Sequence, residues 1–383
     1  MQYKEFKDLK LSALGLGNMR LPVKDGSAAD IDTDQVEQMF AYAMEHGINY
    51  YDTAWGYHEG TSESAVGSIL KQYPRDSFYI ATKFPGYDLS YFGKHEEVFQ
   101  KQLERLQMDY VDFYLFHNVC ELNIEQYLNP SYGTKDYFLK QKEEGKIRHL
   151  GFSVHGNLQT MQRFLEVYGD CVEFCQMQLN WMDWDFQNAK AKVALCKEKN
   201  IPVWVMEPLR GGKLCSLSDE AKAKLKELRP EETVPAWSFR YLQSIPEVTL
   251  ILSGMSNLEQ LKENIQTFET FAPTTEEENA CLYKIADNMT SPNILHCTGC
   301  RYCIKYCPKQ LDIPGFIEVY NEEMVSGYGF RAPMFVNSFP FERQPQNCAH
   351  CRLCESVCPQ KLKIMDMMID LTVRVLHNPL LKR

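Results

Sequence analysis

Over the first 270 residues, short apolar stretches alternate with amphipathic ones. The apolar stretches are "ALGLG" (13–17), "INYYDTA" (48–54), "SFYIATKF" (77–84), "YVDFYLFH" (110–117), "HLGFSV" (149–154), "EFCQMQL" (173–179), "PVWVMEP" (202–208) and "VTLILSG" (248–254). Runs of this length, with β-branched and aromatic residues, read as buried strands. In the gaps, apolar residues recur three and four apart. "DTDQVEQMFAYAMEHG" has Asp32 or Thr33 as N-cap and Gly47 as its stop, and "KHEEVFQKQLERLQ" and "TKDYFLKQKEEGK" follow the same rule. Eight strands alternating with helices predict a parallel sheet, and their number and spacing fit a (β/α)8 TIM barrel over residues 1–270 better than an open sheet. No G-x-G-x-x-G follows an early strand, so the open-sheet dinucleotide fingerprint is absent.

Past a helical connector at 271–290 the pattern changes, and cysteine takes over. "CTGCRYCIKYCPKQ" (297–310) places Cys297, Cys300, Cys303 and Cys307 at spacings of two, two and three, with proline behind the last. About fifty residues on, "CAHCRLCESVCPQK" repeats the spacing with Cys348, Cys351, Cys354 and Cys358. C-x2-C-x2-C-x3-C-P is the ligand pattern of bacterial [4Fe-4S] proteins. Three closely spaced thiolates wrap one cube, and the fourth leaves that loop for the other cube. Zinc instead prefers two C-x2-C pairs facing each other across a dozen or more residues. The runs therefore predict two [4Fe-4S] clusters: one on Cys297, Cys300, Cys303 and Cys358, the other on Cys348, Cys351, Cys354 and Cys307. This resembles the two-cluster bacterial ferredoxin module and implies a small α+β domain over 291–383. The insert "SGYGFRAPMFVNSFPFERQPQN" reads as a loop packed on the neighbouring domain, leaving the tail with little core of its own.

Composition narrows the function classes. The chain has 383 residues, 44% apolar, with 41 basic and 51 acidic side chains. The acid excess lies ahead of residue 290, and the tail carries a small basic surplus that offsets part of the charge on thiolate-bound clusters. An acidic body argues against nucleic acid as a partner. No 18-residue apolar run is present, so no membrane span is expected. The start "MQYKEFKDLKLSALGLG" lacks a secretory pattern, so the expected location is cytoplasmic. The six cysteines outside the runs, at 120, 171, 175, 196, 215 and 281, read as small buried hydrophobes.

Barrel chemistry belongs at the C-terminal ends of the strands. Polar residues gather there: Asp52 and Tyr57, Lys83, His117, Ser153 and His155, Gln176 and Asn180, Glu207 and Arg210. A phenol beside an ammonium is expected to have a lowered pKa, a carboxylate behind the ammonium to hold it, and an imidazole to orient a carbonyl oxygen. "GINYYDTAWGYHEGTSESAVG", "IATKF", "MDYVDFYLFH", "HLGFSVHG" and "MEPLRGGKL" are similar to the aldo/keto reductase family over the whole barrel. With the cysteine-rich tail, the chain resembles the iron–sulfur branch of these reductases. The resemblance implies NAD(P)H-dependent hydride transfer to a small carbonyl-type substrate, with Tyr57, Lys83, Asp52 and His117 as the catalytic tetrad. It places the nicotinamide carboxamide on Ser153 and Gln176, and Met206 where an aromatic usually stacks. Pro208, Leu209, Arg210 and Gly212 are implied as cofactor contacts, and Ser256, Gln260 and Asn264 as the adenosine end. The basic residues that grip a 2′-phosphate are replaced by Gly254 and Gln260, so NADH is expected to serve at least as well as NADPH, unless Arg210 or another barrel-top residue supplies the charge. Two other readings stay open. In one, the clusters are the working centre, a flavin without a motif sits in the barrel, and a one-electron carrier is the partner. In the other, the clusters only staple the tail.

Overall fold

The computed structural model describes residues 1–24 and 26–381. The chain divides into two compact units, Met1–Val119 with Ile124–Tyr283, and Cys120–Asn123 with Lys284–Arg383.

The first unit opens with a hairpin the hydrophobic pattern did not reveal, β1 (Tyr3–Phe6) and β2 (Leu9–Ser12), paired antiparallel from Tyr3↔Ser12 to Phe6↔Leu9. Eight parallel strands then close into a barrel: β3 (Leu14–Gly17), β4 (Tyr50–Asp52), β5 (Tyr79–Phe84), β6 (Val111–Val119), β7 (Ile147–Val154), β8 (Cys175–Gln178), β9 (Val203–Met206) and β10 (Val248–Ser253). Each of the eight predicted strands corresponds to one of these. The barrel closes by pairing β10 with both β9 and β3, which brings the first and last strand ends side by side.

A two-residue period along each strand positions the site. The lower barrel interior is filled by Tyr50, Ala81, Phe113, Leu115, Phe174, Trp204, Leu250 and Leu252, with Phe6 of the hairpin packed among them. Phe6 sits edge-on to Trp204 at 5.0 Å and plugs this layer from below. Two residues further along four of these strands the inward position turns polar. Tyr50 leads to Asp52, Ala81 to Lys83, Leu115 to His117 and Phe174 to Gln176, while Trp204 leads to Met206. Gly151 on β7 makes room for this packing, since a Cβ there would stand 2.4 Å from the Phe174 ring.

The second unit is helical among the described residues. Helices Ile313–Ser326, Arg331–Asn337 and Ile364–Leu376 enclose a core of Leu311, Ile313, Phe316, Ile317, Val319, Ala332, Phe335, Val336, Ile364, Met367, Met368 and Leu371. Two expectations are corrected here. The tail has a core of its own, and the 326–347 insert is not a plain loop but carries the helix Arg331–Asn337. It contributes Ala332, Phe335 and Val336 to that core. The strand part of the expected α+β unit has no counterpart among the described residues. The cysteine runs form an internal repeat offset by 51 residues, and backbone geometry follows it. Left-handed residues recur at Gly299 and His350, at Arg301 and Arg352, and at Gln310 and Lys361.

Candidate active site and cluster sites

At the barrel top, Lys83 is fully buried and its three ammonium protons have three acceptors. Nζ lies 2.7 Å from Asp52 Oδ1, 2.6 Å from the Thr53 carbonyl and 3.4 Å from the Tyr57 hydroxyl. Asp52 is held in turn through its backbone. The Asn18 side-chain amide and backbone N–H both reach the Asp52 carbonyl at 2.9 Å. The ring of His117 stands edge-on to Tyr57, 6.3 Å between centroids, and edge-on to Tyr87 at 5.5 Å. The four residues implied as a tetrad thus meet at one point.

Burial acts against charge on every member. It raises the Asp52 carboxyl above its ordinary range, against the downward pull of Lys83. It also opposes charge on Lys83, but Asp52 and Tyr57 outweigh it, so the ammonium is held above its usual range. Burial and then Lys83 and His155 push His117 well below its ordinary value, which keeps the imidazole neutral, and its Nδ1 is buried with no hydrogen-bond partner. For Tyr57 the expectation was the wrong way round. Lys83 does lower the phenol, but burial raises it more and the net direction is up. At neutral pH Tyr57 is therefore a protonated acid.

Sequence reasoning missed the polar scaffold behind the tetrad. Thr82 points to the opposite face of β5 from Lys83, and its hydroxyl donates to Glu63 at 2.6 Å. Gln102 donates to Glu63 at 2.8 Å and to the Lys83 carbonyl at 2.9 Å, and Arg105 reaches Glu63 at 3.1 Å. Glu63, three and seven residues ahead of the apolar Val66 and Leu70 on one helical face, was the available signal. His58 was missed too. The turn Tyr57–Gly60 runs through left-handed His58 and Glu59, and the His58 ring bridges the Leu21 N–H at 3.1 Å and the Ala28 carbonyl at 2.8 Å. This bridge fixes the turn that presents Tyr57.

The residues implied for a cofactor are distributed around the rim. Ser153 on β7 accepts the Asn118 N–H at 2.8 Å. Gln176 on β8 reaches the Met206 sulfur at 3.9 Å, and its Oε1 is buried with no partner, leaving an acceptor for an amide. After β9, Glu207, Arg210, Gly211 and Gly212 all take left-handed backbone, bending the Pro208–Leu209 loop back on itself. Arg210 turns inward. Its Nε binds both Asp183 oxygens at 3.0 and 3.1 Å, so its charge is committed to that buried pair. After β10, Ser256 donates its N–H to Gln260 at 2.9 Å and its hydroxyl to the Arg20 carbonyl at 2.9 Å. Asn264 is buried and donates to Ser253 at 3.2 Å. The cation here is Arg20, which sequence order hid. Its chain lies 3.5 Å from where a Cβ on Gly254 would be, and its guanidinium is 3.7 Å from Glu207.

In the tail, Cys297, Cys300, Cys303 and Cys358 line one hollow with Ile317, Leu362 and Ile364. Cys307, Cys348, Cys351 and Cys354 line a second with Leu311, Ile313 and Met368. Each hollow takes three thiols from one run and one from the other, and the apolar walls obey the same 51-residue repeat. Among the described residues no group of three or more His, Cys, Asp or Glu side chains is spaced for a single metal ion. Burial, then Cys297 and Cys300, pushes the Cys303 thiol up to about 11, and burial then Cys348 pushes Cys354 up to about 12. Thiols held protonated this way need the charge of a metal to ionise them. No disulfide joins any of the fourteen cysteines; Cys120, Cys171, Cys175 and Cys196 are buried, and Cys215 and Cys281 half-buried.

Comparison with known proteins agrees with both units. Residues 13–287 match the aldo/keto reductase family, and residues 296–363 match a 4Fe-4S dicluster domain. An uncharacterized oxidoreductase, YqkF, of Bacillus subtilis is 29% identical over 71% of this chain and 92% of its own length. An NADH-specific methylglyoxal reductase of Escherichia coli is 26% identical over 67% of this chain and 90% of its own. Among solved structures, the holo form of an aldo-keto reductase from Bacillus halodurans is 26% identical, with a TM-score of 0.60 over 74% of this chain and 96% of that one. An aldo-keto reductase of Klebsiella pneumoniae in complex with NADPH shares the fold at 21% identity, with a TM-score of 0.59 over 75% of this chain and 96% of that one. With a closed eight-stranded barrel and a family match across most of its length, the chain belongs to the aldo/keto reductase family of oxidoreductases and carries a 4Fe-4S dicluster domain behind the barrel.

Proposed function

We propose that this protein reduces the carbonyl group of a small acceptor at the barrel top, using NAD(P)H, and that its tail holds two cross-ligated [4Fe-4S] clusters. The observation that supports the first part best is the convergence of the Lys83 ammonium on Asp52 and Tyr57, beside a neutral His117. Nicotinamide, when bound, supplies a hydride. Tyr57 gives its phenolic proton to the acceptor oxygen as negative charge builds there. Lys83 stabilises the phenolate left behind, and Asp52 keeps Lys83 charged and aimed. His117, neutral, donates one ring N–H to the same oxygen and sets its orientation. Gln176 and Ser153 offer an amide-sized acceptor and hydroxyl for the carboxamide, with Met206 beside Gln176. Because burial keeps Tyr57 protonated, the residues favour reduction at neutral pH, and oxidation of an alcohol gains only as pH rises.

NADH serves at least as well as NADPH in this reading. Arg20 is the cation near Gly254, and Glu207 beside it offsets its charge, so a 2′-phosphate finds little net attraction. A [4Fe-4S] cluster, when bound, supplies one-electron redox chemistry. Cys297, Cys300, Cys303 and Cys358 hold one, and Cys348, Cys351, Cys354 and Cys307 the other; the lining of the two hollows supports this pairing. Fourteen cysteines without a disulfide fit a reducing, cytoplasmic setting.

The test is Tyr57→Phe in anaerobically prepared protein. Loss of the acid is expected to lower kcat for carbonyl reduction by ~10²–10⁴-fold, while cofactor Kd stays within about twofold of wild type. An unchanged kcat overturns the assignment. The absorption spectrum of the same preparation, with iron and sulfide content, decides between clusters alone and clusters with a flavin.

A further inference from the structure

One contact in the tetrad is longer than the others. Lys83 Nζ stands 3.4 Å from the Tyr57 hydroxyl, against 2.7 Å from Asp52 and 2.6 Å from the Thr53 carbonyl. A contact that long is set less by its own strength than by the segments that carry its two ends. Lys83 lies on β5, and Tyr57 opens the turn Tyr57–Gly60. Both segments are tied to one carboxylate, that of Glu63. Glu63 is fully buried on the helix Ser62–Leu70. Its partners Gln102 and Arg105 lie on the helix His95–Leu106, and Gly67 lets the two helices approach, since a Cβ there would stand 2.3 Å from the Leu106 carbonyl oxygen. Glu63 Oε1 accepts from the Thr82 hydroxyl and from Gln102. The Gln102 amide also donates to the Lys83 carbonyl at 2.9 Å, and its oxygen accepts the Tyr114 hydroxyl at 2.7 Å. This arm holds β5 at Thr82 and Lys83. Glu63 Oε2 accepts from Arg105 at 3.1 Å. Arg105 in turn reaches the Trp55 carbonyl at 3.5 Å and lays its guanidinium 4.0 Å from the centre of the Trp55 ring. It also comes within 3.9 Å of where a Cβ on Gly60 would be. Trp55 and Gly60 bracket Tyr57 in sequence, so this second arm holds the turn.

We propose that Glu63 is a positioning residue for carbonyl reduction, which fixes the separation of Lys83 from Tyr57 by holding β5 with one oxygen and the 55–60 segment with the other. The inference rests on the tetrad reading above and deepens it. Lys83 stabilises the phenolate left once Tyr57 has given its proton to the acceptor oxygen, and that attraction falls with distance. Glu63 acts through position rather than through its own field: the charges that move the Tyr57 phenol are Lys83, Asp52 and Glu207. Displacing one member of a reacting pair by about 1 Å can cost ~10²-fold in rate.

The test uses full-length, anaerobically prepared protein with NADH and a small aldehyde. Glu63→Gln should lower kcat by about tenfold or more, with KM for both substrates within about twofold of wild type. It should also raise the solvent deuterium isotope effect on kcat, because the slowed step moves the Tyr57 proton. In a Tyr57→Phe background, Glu63→Gln should change the residual rate by less than about twofold, since the pair it positions is already broken. Arg105→Lys keeps Glu63 paired and loses the flat stack on Trp55, so it should lower kcat by about threefold or more and be equally silent in the Tyr57→Phe background. This second variant decides the matter where Glu63→Gln does not fold. A kcat within about twofold of wild type in the folded variants overturns the proposal, and so does a loss that persists in full once Tyr57 is phenylalanine, which marks a merely structural role. If Tyr57→Phe alone leaves kcat unchanged, the tetrad reading fails and takes the proposal with it; a loss in Tyr57→Phe without one in Glu63→Gln sinks the proposal alone.

Discussion

The barrel and the tail solve the same problem, holding charged groups away from water, in opposite ways. The barrel does it with side chains alone. Lys83 is fully enclosed, yet each proton has an acceptor, and a second tier of Thr82, Glu63, Gln102 and Arg105 holds the strand that carries it. The tail gathers eight thiols into two hollows, and there burial and then neighbouring thiols resist ionisation of Cys303 and Cys354. The buried charge of Lys83 is balanced by the barrel's own residues, whereas the thiolates of the tail are balanced only with a metal. Stability and chemistry should therefore separate between the two units under mutation.

The largest expected effect comes from breaking the barrel's pair. Lys83→Met leaves Asp52 buried with no counter-ion, and removing one partner of a buried pair costs about 3–5 kcal/mol. Thermal unfolding of the barrel should fall sharply, and carbonyl reduction should be lost with it. Asp52→Asn in the same chain should recover much of the stability and none of the activity. If the double variant is no more stable than Lys83→Met, the pair is not the source of the cost.

A smaller effect sharpens the view of the tail. Glu323 is buried, with Oε2 unpartnered, and burial raises its carboxyl to about 7, against the pull of the Gly329 N–H and Arg374. A carboxyl whose folded pKa lies above its unfolded one, about 4.3, stabilises the fold fully below the unfolded value. That contribution is lost as pH rises through about 7. The melting temperature of the tail should fall from about pH 4.3 to about 7 and level off above that in wild type, relative to Glu323→Gln. Parallel pH profiles for the two proteins would contradict this.

The smallest effect concerns the rim. Arg20→Ala should weaken NADPH more than NADH, by a few-fold, since Glu207 already offsets the lost charge. Comparison of the two Kd values in both proteins checks it. A loss of tenfold or more for NADPH alone would show that Arg20 leaves Glu207 for the phosphate.

The two units were not equally legible in the sequence. All eight barrel strands could be read because parallel strands buried on both faces leave dense apolar runs, and the tetrad came from the polar residues at the strand ends together with the aldo/keto reductase resemblance. The N-terminal hairpin was hidden because its strands are four residues long and only Phe6 of the first is buried. Arg20 was hidden because it meets Gly254 only through barrel closure, 234 residues apart in sequence. The direction of the Tyr57 shift depended on weighing a cation against burial, and depth of burial is not written in the residue types. In the tail the ligand spacing was plain, while the core was there to be found. Ile364, Met367, Met368 and Leu371 fall at i, i+3, i+4 and i+7, one face of a helix, but the density of cysteines drew the reading to a stapled loop.

The separation of the two units is tested most directly by Cys358→Ala. It removes one thiol from the hollow lined by Cys297, Cys300 and Cys303 and leaves every barrel residue in place. Iron content, electron paramagnetic resonance after reduction, and the rate of carbonyl reduction with NADH are measured on one anaerobic preparation. The account predicts that about half of the iron is lost, that the lost signal belongs to the cluster on Cys297, Cys300 and Cys303, and that carbonyl reduction stays within about twofold of wild type. Loss of the other cluster, or a carbonyl reduction rate that falls in step with the iron, would contradict it.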